Sequence, residues 1–238
     1  MTEETFKDQI KKELNLDLSP QIIINLKKYC AFLLEYNEHT NLTAIKTPEE
    51  VYLKHFFDSL TITKILHIEK NQKILDIGTG AGFPGLVLAI CFPNLEVHLL
   101  DSNNKKINFL NEIIKILNLQ NVKTIYNRTE EYAKTNQEQY DVITSRAVAE
   151  LRILIETSFP LLKRNGLLLA MKSNVEEEIK NSEGILSQIY GSIEHIEKFS
   201  LPFDTGLRTI IKIKKLASTP STYPRAYATI LKKPLKKL

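Results

Sequence analysis

Residues 73–85 read Lys-Ile-Leu-Asp-Ile-Gly-Thr-Gly-Ala-Gly-Phe-Pro-Gly, and the rest of the chain is organised around them. The stretch opens as a short apolar strand, 73–77, passes through glycines and continues into an apolar helix, 86–90. Four of the chain's eight glycines lie in this turn: Gly78, Gly80, Gly82 and Gly85. Glycine lets bare backbone approach a ligand, and the helix that follows offers free N–H groups. A tight turn that binds nothing is the alternative, and the density of glycines argues against it.

Two ligand classes use a turn of this kind. The spacing Gly80-x-Gly82-x-x-Gly85 is that of a dinucleotide fingerprint, which is a weak signal when it stands alone. The signature for S-adenosylmethionine places an acid two residues before the first glycine, and Asp76 has that position. A carboxylate there can order the turn and face the ammonium side of the ligand.

From Lys73 onward, strand and helix patterns alternate, which is typical of a doubly wound α/β sheet. The predicted strands are 73–77, 96–100, 122–126, 140–144, 167–172, 193–199 and 207–214. The predicted helices are 86–90, 105–117, 147–162 and 176–190, and an Asn165-Gly166 turn leads into the fifth strand. Because no helix separates the last two strands, we expect an antiparallel hairpin on an otherwise parallel sheet.

Upstream of the sheet the pattern is helical. Phe6, Ile10 and Leu14 predict a first helix, since apolar residues recur at every fourth position. Ser19-Pro20 predicts the start of a second helix that ends near residue 37, and the capping box 47–50 starts a third that extends toward residue 66. We therefore expect a helical cap over 1–70, an α/β domain over 71–216 and a basic tail over 217–238.

Composition excludes several classes of protein. The 238 residues suffice for a full core, and no apolar run is as long as a membrane span. The polar, acidic N-terminus is not that of a secretory signal. Cys30 and Cys91 lie in apolar helical patterns, so we expect small buried side chains and a reducing, cytoplasmic compartment. The five histidines are scattered without the spacing of metal ligands, and no metal is predicted.

Charge is unevenly distributed along the chain. The net charge is +4, but no acidic residue follows Asp204. The nine basic residues beyond that point are Arg208, Lys212, Lys214, Lys215, Arg225, Lys232, Lys233, Lys236 and Lys237. The last 34 residues therefore carry +9 and the first 204 carry −5. A basic end on an acidic body indicates a polyanionic partner or, as the alternative, a solvated tail.

Ligands of doubly wound sheets bind where the strands end. The residues expected there are Phe83 with the glycines, then Asp101-Ser-Asn103, then 127–131, then Arg146. Asp101 can accept hydrogen bonds from both ribose hydroxyls of either ligand class. Asp76 and the closing hairpin favour S-adenosylmethionine, because the class I methyltransferase sheet ends in an antiparallel strand. We find no Tyr-x-x-x-Lys or His–Asp pair placed to deliver a proton alongside hydride, which argues against an NAD-dependent oxidoreductase.

Eight stretches carry a resemblance to a known family. They are Asn41-Leu-Thr43, His55-Phe-Phe-Asp-Ser59, the glycine stretch 76–85, Leu100-Asp-Ser102, Arg128-Thr-Glu-Glu131, Ser145-Arg-Ala147, Ala170-Met-Lys172 and Arg208-Thr-Ile-Ile211. In these, and in Tyr223-Pro-Arg225, the chain resembles the RsmG (GidB) family of bacterial small-subunit ribosomal RNA guanine-N7 methyltransferases. The tail beyond Arg225 departs from the family pattern, which puts RNA contacts there in doubt.

The resemblance implies a class I S-adenosylmethionine-dependent methyltransferase of Rossmann-like fold, with a mostly parallel seven-stranded sheet, an antiparallel last strand and an N-terminal helical extension. It implies a cytoplasmic enzyme, without membrane or metal, that methylates N7 of a guanine in the 530-loop region of 16S ribosomal RNA. The RNA could be free, part of an assembly intermediate or part of the intact small subunit. With the motif residues included, the donor-binding residues would be Asp76, Gly78, Gly80, Gly82, Phe83, Asp101, Ser102, Asn103, Thr129, Glu130 and Arg146. Plain packing is the alternative for Phe83 and Thr129.

Guanine N7 has a free lone pair and no proton to lose, so its methylation needs no general base, only a held geometry. No residue is therefore assigned as catalytic. The candidates for the acceptor side are His55, Arg146, Lys172 and Arg208. The alternative for His55 is a histidine on a helix face whose hydrogen bonds are satisfied within the fold, and it is equally favoured. The alternative for Lys172 is a solvated residue at the end of a strand. The rival functions are an NAD-dependent oxidoreductase and an RNA-binding protein that keeps the fold without turnover.

Overall fold

The computed structural model of the chain describes residues 1–69, 71–146, 148–173 and 175–235. Seven strands form one sheet in the order β3-β2-β1-β4-β5-β7-β6. Their bounds are β1 Lys73–Ile77, β2 Glu96–Asp101, β3 Val122–Tyr126, β4 Tyr140–Arg146, β5 Leu162–Lys172, β6 Gly191–Ser200 and β7 Leu207–Lys215. The strands β1 to β5 are parallel, whereas β7 runs antiparallel to both β5 and β6. The predicted sheet and its antiparallel last strand are confirmed.

Ten α-helices accompany the sheet in the described part of the chain. The first four are α1 Glu3–Leu14, α2 Pro20–Thr40, α3 Pro48–Val51 and α4 Asp58–Leu60. The others are α5 Gly85–Cys91, α6 Asn104–Ile116, α7 Thr129–Thr135, α8 Leu151–Ser158, α9 Glu176–Gln188 and α10 Tyr227–Lys232. The sequence did not predict α7 or α10.

Two predicted boundaries are wrong. The helix expected over 147–162 begins at Leu151, and its expected first residue, Ala147, lies outside the described residues. The Asn165-Gly166 pair does not precede the fifth strand but lies within β5. Asn165 has φ of 65°, and the pairing register between β4 and β5 shifts there. Asn165-Gly166 thus forms an irregularity within a longer strand and not a turn before it.

The second and third N-terminal helices begin at the positions that their capping residues predicted. Ser19 Oγ accepts from the N–H of Ile22, and Thr47 Oγ1 accepts from the N–H of Glu50. The second helix continues three residues beyond its expected end and stops at Asn41, which has φ of 53°. Between α3 and α4 the chain forms a π-helical stretch, Tyr52–Phe57, and a 3₁₀ turn, Thr61–Lys64, follows α4.

Apolar side chains fill both faces of the sheet. On one face the N-terminal helices share a single cluster with α5 and α6, in which Phe6, Leu26 and Leu86 are fully buried. On the other face α8 and α9 pack on the sheet through residues such as Leu154 and Ile185. The structure confirms that Cys30 and Cys91 are buried.

The basic end of the chain is partly neutralised by acids from elsewhere. Arg208 pairs with Asp58, Lys215 with Glu138, and Arg225 with Glu156. Lys212 and Lys214 both lie near Glu194. Lys232 and Lys233 are exposed, and Lys236 and Lys237 lie outside the described residues. Five of the nine cations counted in the sequence therefore have carboxylate partners within the fold.

Within the described ranges, no helix has the length and apolar character that spanning a bilayer requires. The same residues contain no group of three or more His, Cys, Asp and Glu side chains that could hold a metal.

Candidate functional site

The glycine turn closes against the segment that follows β4. Gly78 has φ of 64°, and its N–H donates to the carbonyl of Leu100 at 2.8 Å. A Cβ at Gly78 would lie 2.6 Å from a methyl carbon of Val148. Only glycine tolerates both this conformation and this approach, so the end of β1 is held as bare backbone.

Asp101 holds the first two turns at the strand ends together. Its Oδ2 accepts from the N–H of Gly80 at 3.0 Å, and its Oδ1 accepts from the N–H of Asn103 at 2.9 Å. The residue is only 5% exposed, yet it lines a pocket. Because each carboxylate oxygen has further lone-pair capacity, Asp101 can also accept hydrogen bonds from a ligand in that pocket.

We call this cavity the glycine-loop pocket. It is lined by Ile77, Gly78, Leu100, Asp101, Ser102, Asn127, Arg128, Thr129, Glu130, Val148, Ala149, Ile153, Leu154, Thr157 and Tyr227. Five predicted donor-binding residues are therefore brought together: Gly78, Asp101, Ser102, Thr129 and Glu130. The predicted residues that do not line it are Asp76, Gly80, Gly82, Phe83, Asn103 and Arg146. Their contacts with a donor stay predictions.

Asp76 lies beneath the glycine turn and not on the pocket surface. It is fully buried, and its Oδ2 accepts from the N–H of Gly85 at 2.8 Å. This bond ties the end of the turn to the middle of β1. Burial in the core raises the pKa of Asp76 from its ordinary value of 3.8 to about 7.

The titration of Asp76 predicts how the stability of the protein depends on pH. The folded state keeps the proton of Asp76 up to its raised pKa of about 7, whereas the unfolded state loses it near 3.8. The contribution of this bound proton to the stability of the fold is fully present below pH 3.8, the pKa of Asp76 in the unfolded state. It is lost as the pH rises through the pKa of Asp76 in the folded state. We expect the wild type to lose about 2–3 kcal/mol relative to Asp76→Asn between about pH 5 and about pH 8.

Chemical denaturation of both proteins across this pH range measures the difference. Asp141→Asn, which replaces a more exposed carboxylate and leaves Asp76 in place, is the matched control and should keep the pH dependence of the wild type. A constant difference between wild type and Asp76→Asn would contradict the prediction.

A second cavity lies on the other side of the β4 end, and we call it the arginine pocket. It is lined by Ile45, Lys54, His55, Asp58, Arg146, Met171, Lys172, Ser173 and Arg208. All four residues that the sequence proposed for the acceptor side, His55, Arg146, Lys172 and Arg208, lie in it together.

Asp58 organises the arginine pocket. Its Oδ2 accepts from Nη1 of Arg146 at 3.0 Å, and its Oδ1 accepts from Nε of Arg208 at 2.9 Å. One carboxylate, 3% exposed, therefore fixes two guanidinium groups that come from different strands. Asp58 is part of the 55–59 motif, but the sequence alone did not indicate it as a site residue. Its spacing of three from His55 on a helix was the available signal.

Both ring nitrogens of His55 have polar neighbours. Nδ1 lies 3.0 Å from Nη2 of Arg146, which donates, and 3.2 Å from the carbonyl oxygen of Lys54, which accepts. Nε2 lies 3.0 Å from Oγ1 of Thr43, which can donate or accept, so these contacts suit either tautomer of the neutral ring. Burial, with the charge of Arg146 beside it, lowers the pKa of His55 from 6.5 to about 3. His55 is thus neutral with both ring nitrogens hydrogen-bonded, as one of the two sequence interpretations had it.

Phe83 fills the space between the glycine turn and the arginine pocket. Its ring stacks on His55 with centroids 4.1 Å apart, and the guanidinium carbon of Arg146 lies 5.0 Å from its centroid. On another side it stacks on Tyr29 at 5.5 Å. These are packing contacts, and they position the histidine and the arginine against each other.

Lys172 is not a solvated strand end. Its side chain is 9% exposed, and its Nζ donates to the carbonyl of Ala149 at 2.7 Å and lies 2.6 Å from Oε2 of Glu178. The same Oε2 accepts from the N–H of Leu151 at 2.6 Å. Lys172 therefore holds the segment between β4 and α8, which forms part of the wall of the glycine-loop pocket.

The two pockets meet at the carboxyl end of β4, because Arg146 lines one and Val148 lines the other. The glycine-loop pocket offers bare backbone and the Asp101 carboxylate. The arginine pocket offers guanidinium donors: Arg208 uses Nε and Nη1, and its Nη2 has no partner among the described residues. The arrangement suits two ligands held side by side, one rich in hydroxyl donors and one rich in acceptors.

Comparison with known proteins identifies the relatives of this chain. The family model described as GidB, rRNA small subunit methyltransferase G, matches residues 22–202. The ribosomal RNA small subunit methyltransferase G of Desulforamulus reducens is 44% identical over 230 residues, which is 95% of this chain and 96% of the relative. The protein of the same name from Bacillus subtilis is 40% identical over 227 residues, 94% of this chain and 95% of the relative.

Solved structures with much lower identity share the fold. A SAM-dependent methyltransferase from Aquifex aeolicus has a TM-score of 0.56 at 17% identity and covers 74% of this chain and 98% of its own. TrmN from Thermus thermophilus has a TM-score of 0.53 at 14% identity and covers 69% of this chain and 53% of its own.

Proposed function

We propose, from the premise that this chain belongs to the rRNA small subunit methyltransferase G family, that it methylates N7 of a guanine in the 530-loop region of small-subunit ribosomal RNA. The methyl donor is S-adenosylmethionine. Its partner is ribosomal RNA, whether free, in an assembly intermediate or in the small subunit, and its compartment is the bacterial cytoplasm. The observation that carries the proposal is the convergence of two pockets, one for each reactant, at the end of β4.

The glycine-loop pocket fits the donor. S-adenosylmethionine supplies an electrophilic methyl group on a sulfonium centre, and its ribose supplies two hydroxyl donors. Asp101 accepts those hydroxyls while it keeps its bonds to Gly80 and Asn103. Gly78 lets the pocket approach the donor without a side chain between them. The rest of the donor pocket is lined in part by Ser102, Thr129 and Glu130.

The arginine pocket fits the guanine. Guanine presents O6 and N7 as acceptors on one edge, and arginine is the side chain that most often binds that edge. Nη2 of Arg208 donates to O6, so that N7 remains free toward the donor. Asp58 holds the guanidinium group of Arg208 in position for this contact.

The residues of the arginine pocket position the base and do not accept a proton. Because N7 has no proton, the lone pair attacks directly once the two reactants are held in line. His55 stays neutral and acts as a packing and hydrogen-bonding partner of Arg146.

The neutrality of His55 predicts a pH profile. With its pKa lowered to about 3, His55 does not titrate in the working range of the enzyme. We expect initial rates of methyl transfer to show no inflection near the ordinary histidine pKa of about 6.5. Rates at constant ionic strength from about pH 5.5 to about pH 8.5 measure this. An inflection that disappears in His55→Gln would contradict it.

One assay tests the proposed function. The protein is incubated with S-adenosylmethionine carrying a tritiated methyl group and with ribosomal RNA from a strain that lacks the modification, and the labelled base is mapped. We expect label on N7 of one guanine in the 530-loop region. Label elsewhere would overturn the proposed target. An RNA that binds without label would favour the RNA-binding alternative.

A melting experiment addresses the oxidoreductase alternative. S-adenosylmethionine should raise the melting temperature, because a ligand that binds only the folded state stabilises it, whereas NAD should not. A shift with NAD alone would overturn the assignment of the pocket.

A further inference from the structure

We infer that the C-terminal segment 223–230 is a wall of the donor pocket and that Tyr227 contacts the adenosine part of S-adenosylmethionine. This inference rests on the proposed function, since it takes the glycine-loop pocket to be the donor site. It gives the C-terminal segment a role beyond its positive charge.

The segment is anchored to the body by a buried ion pair. Nε and Nη2 of Arg225 donate to the two carboxylate oxygens of Glu156 at 2.7 and 2.6 Å, and the N–H of Arg225 donates to Oε1 at 3.2 Å. Glu156 is 1% exposed and lies on α8. A bidentate pair of this kind fixes direction as well as distance, so the backbone at Arg225 has a defined position.

A hydrogen bond on one side of Arg225 and a buried side chain on the other also hold the segment. The hydroxyl of Tyr223 donates to Oε1 of Gln188 at 3.1 Å. Ile230, on α10, is 1% exposed. The segment is therefore docked along its length and is not a free basic tail.

Tyr227 lies between these anchors and lines the glycine-loop pocket. The guanidinium carbon of Arg128 lies 5.6 Å from the centroid of its ring, and Arg128 also pairs with Glu130 at 3.4 Å. Thr157, the neighbour of Glu156, lines the pocket as well. The ion pair therefore lies next to the pocket wall, and both are formed where α8 and the tail pack together.

The position of Tyr227 indicates which part of the donor it meets. Asp101, at the end of β2, takes the ribose hydroxyls, and the residues after β3 lie on the side away from β1 and its glycines. The base attached to that ribose therefore lies toward Arg128 and Tyr227. A flat aromatic base stacks on tyrosine or on a guanidinium plane, and each such contact contributes measurably to affinity.

Calorimetric titration of the full-length protein tests the inference with two ligands. One is S-adenosylmethionine, and the other is 5′-methylthioadenosine, which keeps the adenosine part and lacks the amino acid. We expect Tyr227→Ala to weaken both ligands by the same factor, about tenfold, and Tyr227→Phe to bind as the wild type does. Leu231→Ala, an exposed residue of the same helix that does not line the pocket, is the matched control and should bind normally.

The outcomes separate this inference from the proposed function. If the wild type binds S-adenosylmethionine and Tyr227→Ala binds it equally well, the inference fails and the proposed function stands. A loss for S-adenosylmethionine without a loss for methylthioadenosine would also overturn it, because the contact would then be with the amino acid. A wild type that binds neither ligand would overturn both.

The anchor is tested by Arg225→Lys, which keeps the charge and loses the bidentate geometry. We expect it to weaken the donor in the same direction as Tyr227→Ala, and the double variant to show no further loss, since both changes remove one wall. Losses that add in the double variant would show that the two residues act separately and would overturn the role of the segment. Thermal melts of each variant establish that the titrated protein is folded.

Discussion

Asp58→Asn is expected to lower methyl transfer by about a hundredfold, because a displacement of about 1 Å at a positioned group can cost this much. The carboxylate of Asp58 pairs with both Arg146 and Arg208. Asparagine has the same size but keeps only one acceptor oxygen and turns an amide toward one of the two guanidinium groups. Both arginines then lose a bond that fixes their geometry, which should weaken the contact with guanine that we propose.

The same substitution should reduce the free energy of unfolding by about 2–3 kcal/mol. The value is below that for a fully buried charge left alone, because the arginine side chains are 17% and 24% exposed and water screens them in part. Single-turnover rates with saturating donor and denaturant melts measure the two effects separately. Glu194→Gln, which removes the acid between Lys212 and Lys214, is the matched control and should change neither quantity appreciably. A folded Asp58→Asn protein with normal turnover would remove the arginine pocket from the mechanism.

Asp101→Ala should weaken the binding of S-adenosylmethionine by about tenfold to a hundredfold, which corresponds to one or two hydrogen bonds to a charged group. Part of the loss is direct, because the ribose hydroxyls lose their acceptor. The rest is indirect, since the N–H groups of Gly80 and Asn103 lose the oxygens that hold their turns.

Calorimetry with the pure donor measures this loss without the RNA. The matched control is Glu96→Ala, which removes a half-exposed acid at the other end of the same strand, where it contacts Lys73 and His98. The control should bind the donor as the wild type does. Equal affinity in Asp101→Ala would exclude Asp101 from the donor site.

Much of the fold could be predicted because its elements carry local signals. The strands β1 and β3 were predicted with their observed bounds, since each is a short run between polar or glycine residues. The seven-residue helix α7 was missed because it is short and buries little: of its residues only Glu130 and Ala133 are buried. The place of Asn165 inside β5 depends on its pairing with β4, which no local pattern encodes.

The types of residue in the candidate site could be predicted from the sequence. The hydrogen-bond and ion-pair partners of those residues could be predicted less well. The strand-end rule found Asp101, Ser102 and Thr129, because the carboxyl ends of parallel strands share one edge. The pairing of Asp58 with Arg208 joins residues 150 positions apart and has no trace in either local sequence. The basic end was interpreted by its own charge alone, whereas Arg225 is neutralised by Glu156, 69 positions upstream.

The bond between Asp58 and Arg208 has a consequence for the newly synthesised protein. Arg208 is on the last strand of the sheet to be translated, and Asp58 precedes the first. A nascent chain in which Arg208 has not yet been synthesised cannot form this contact, so the guanine site that we propose is still incomplete. A chain that terminates upstream of Arg208 likewise leaves the carboxylate of Asp58 without its second cation.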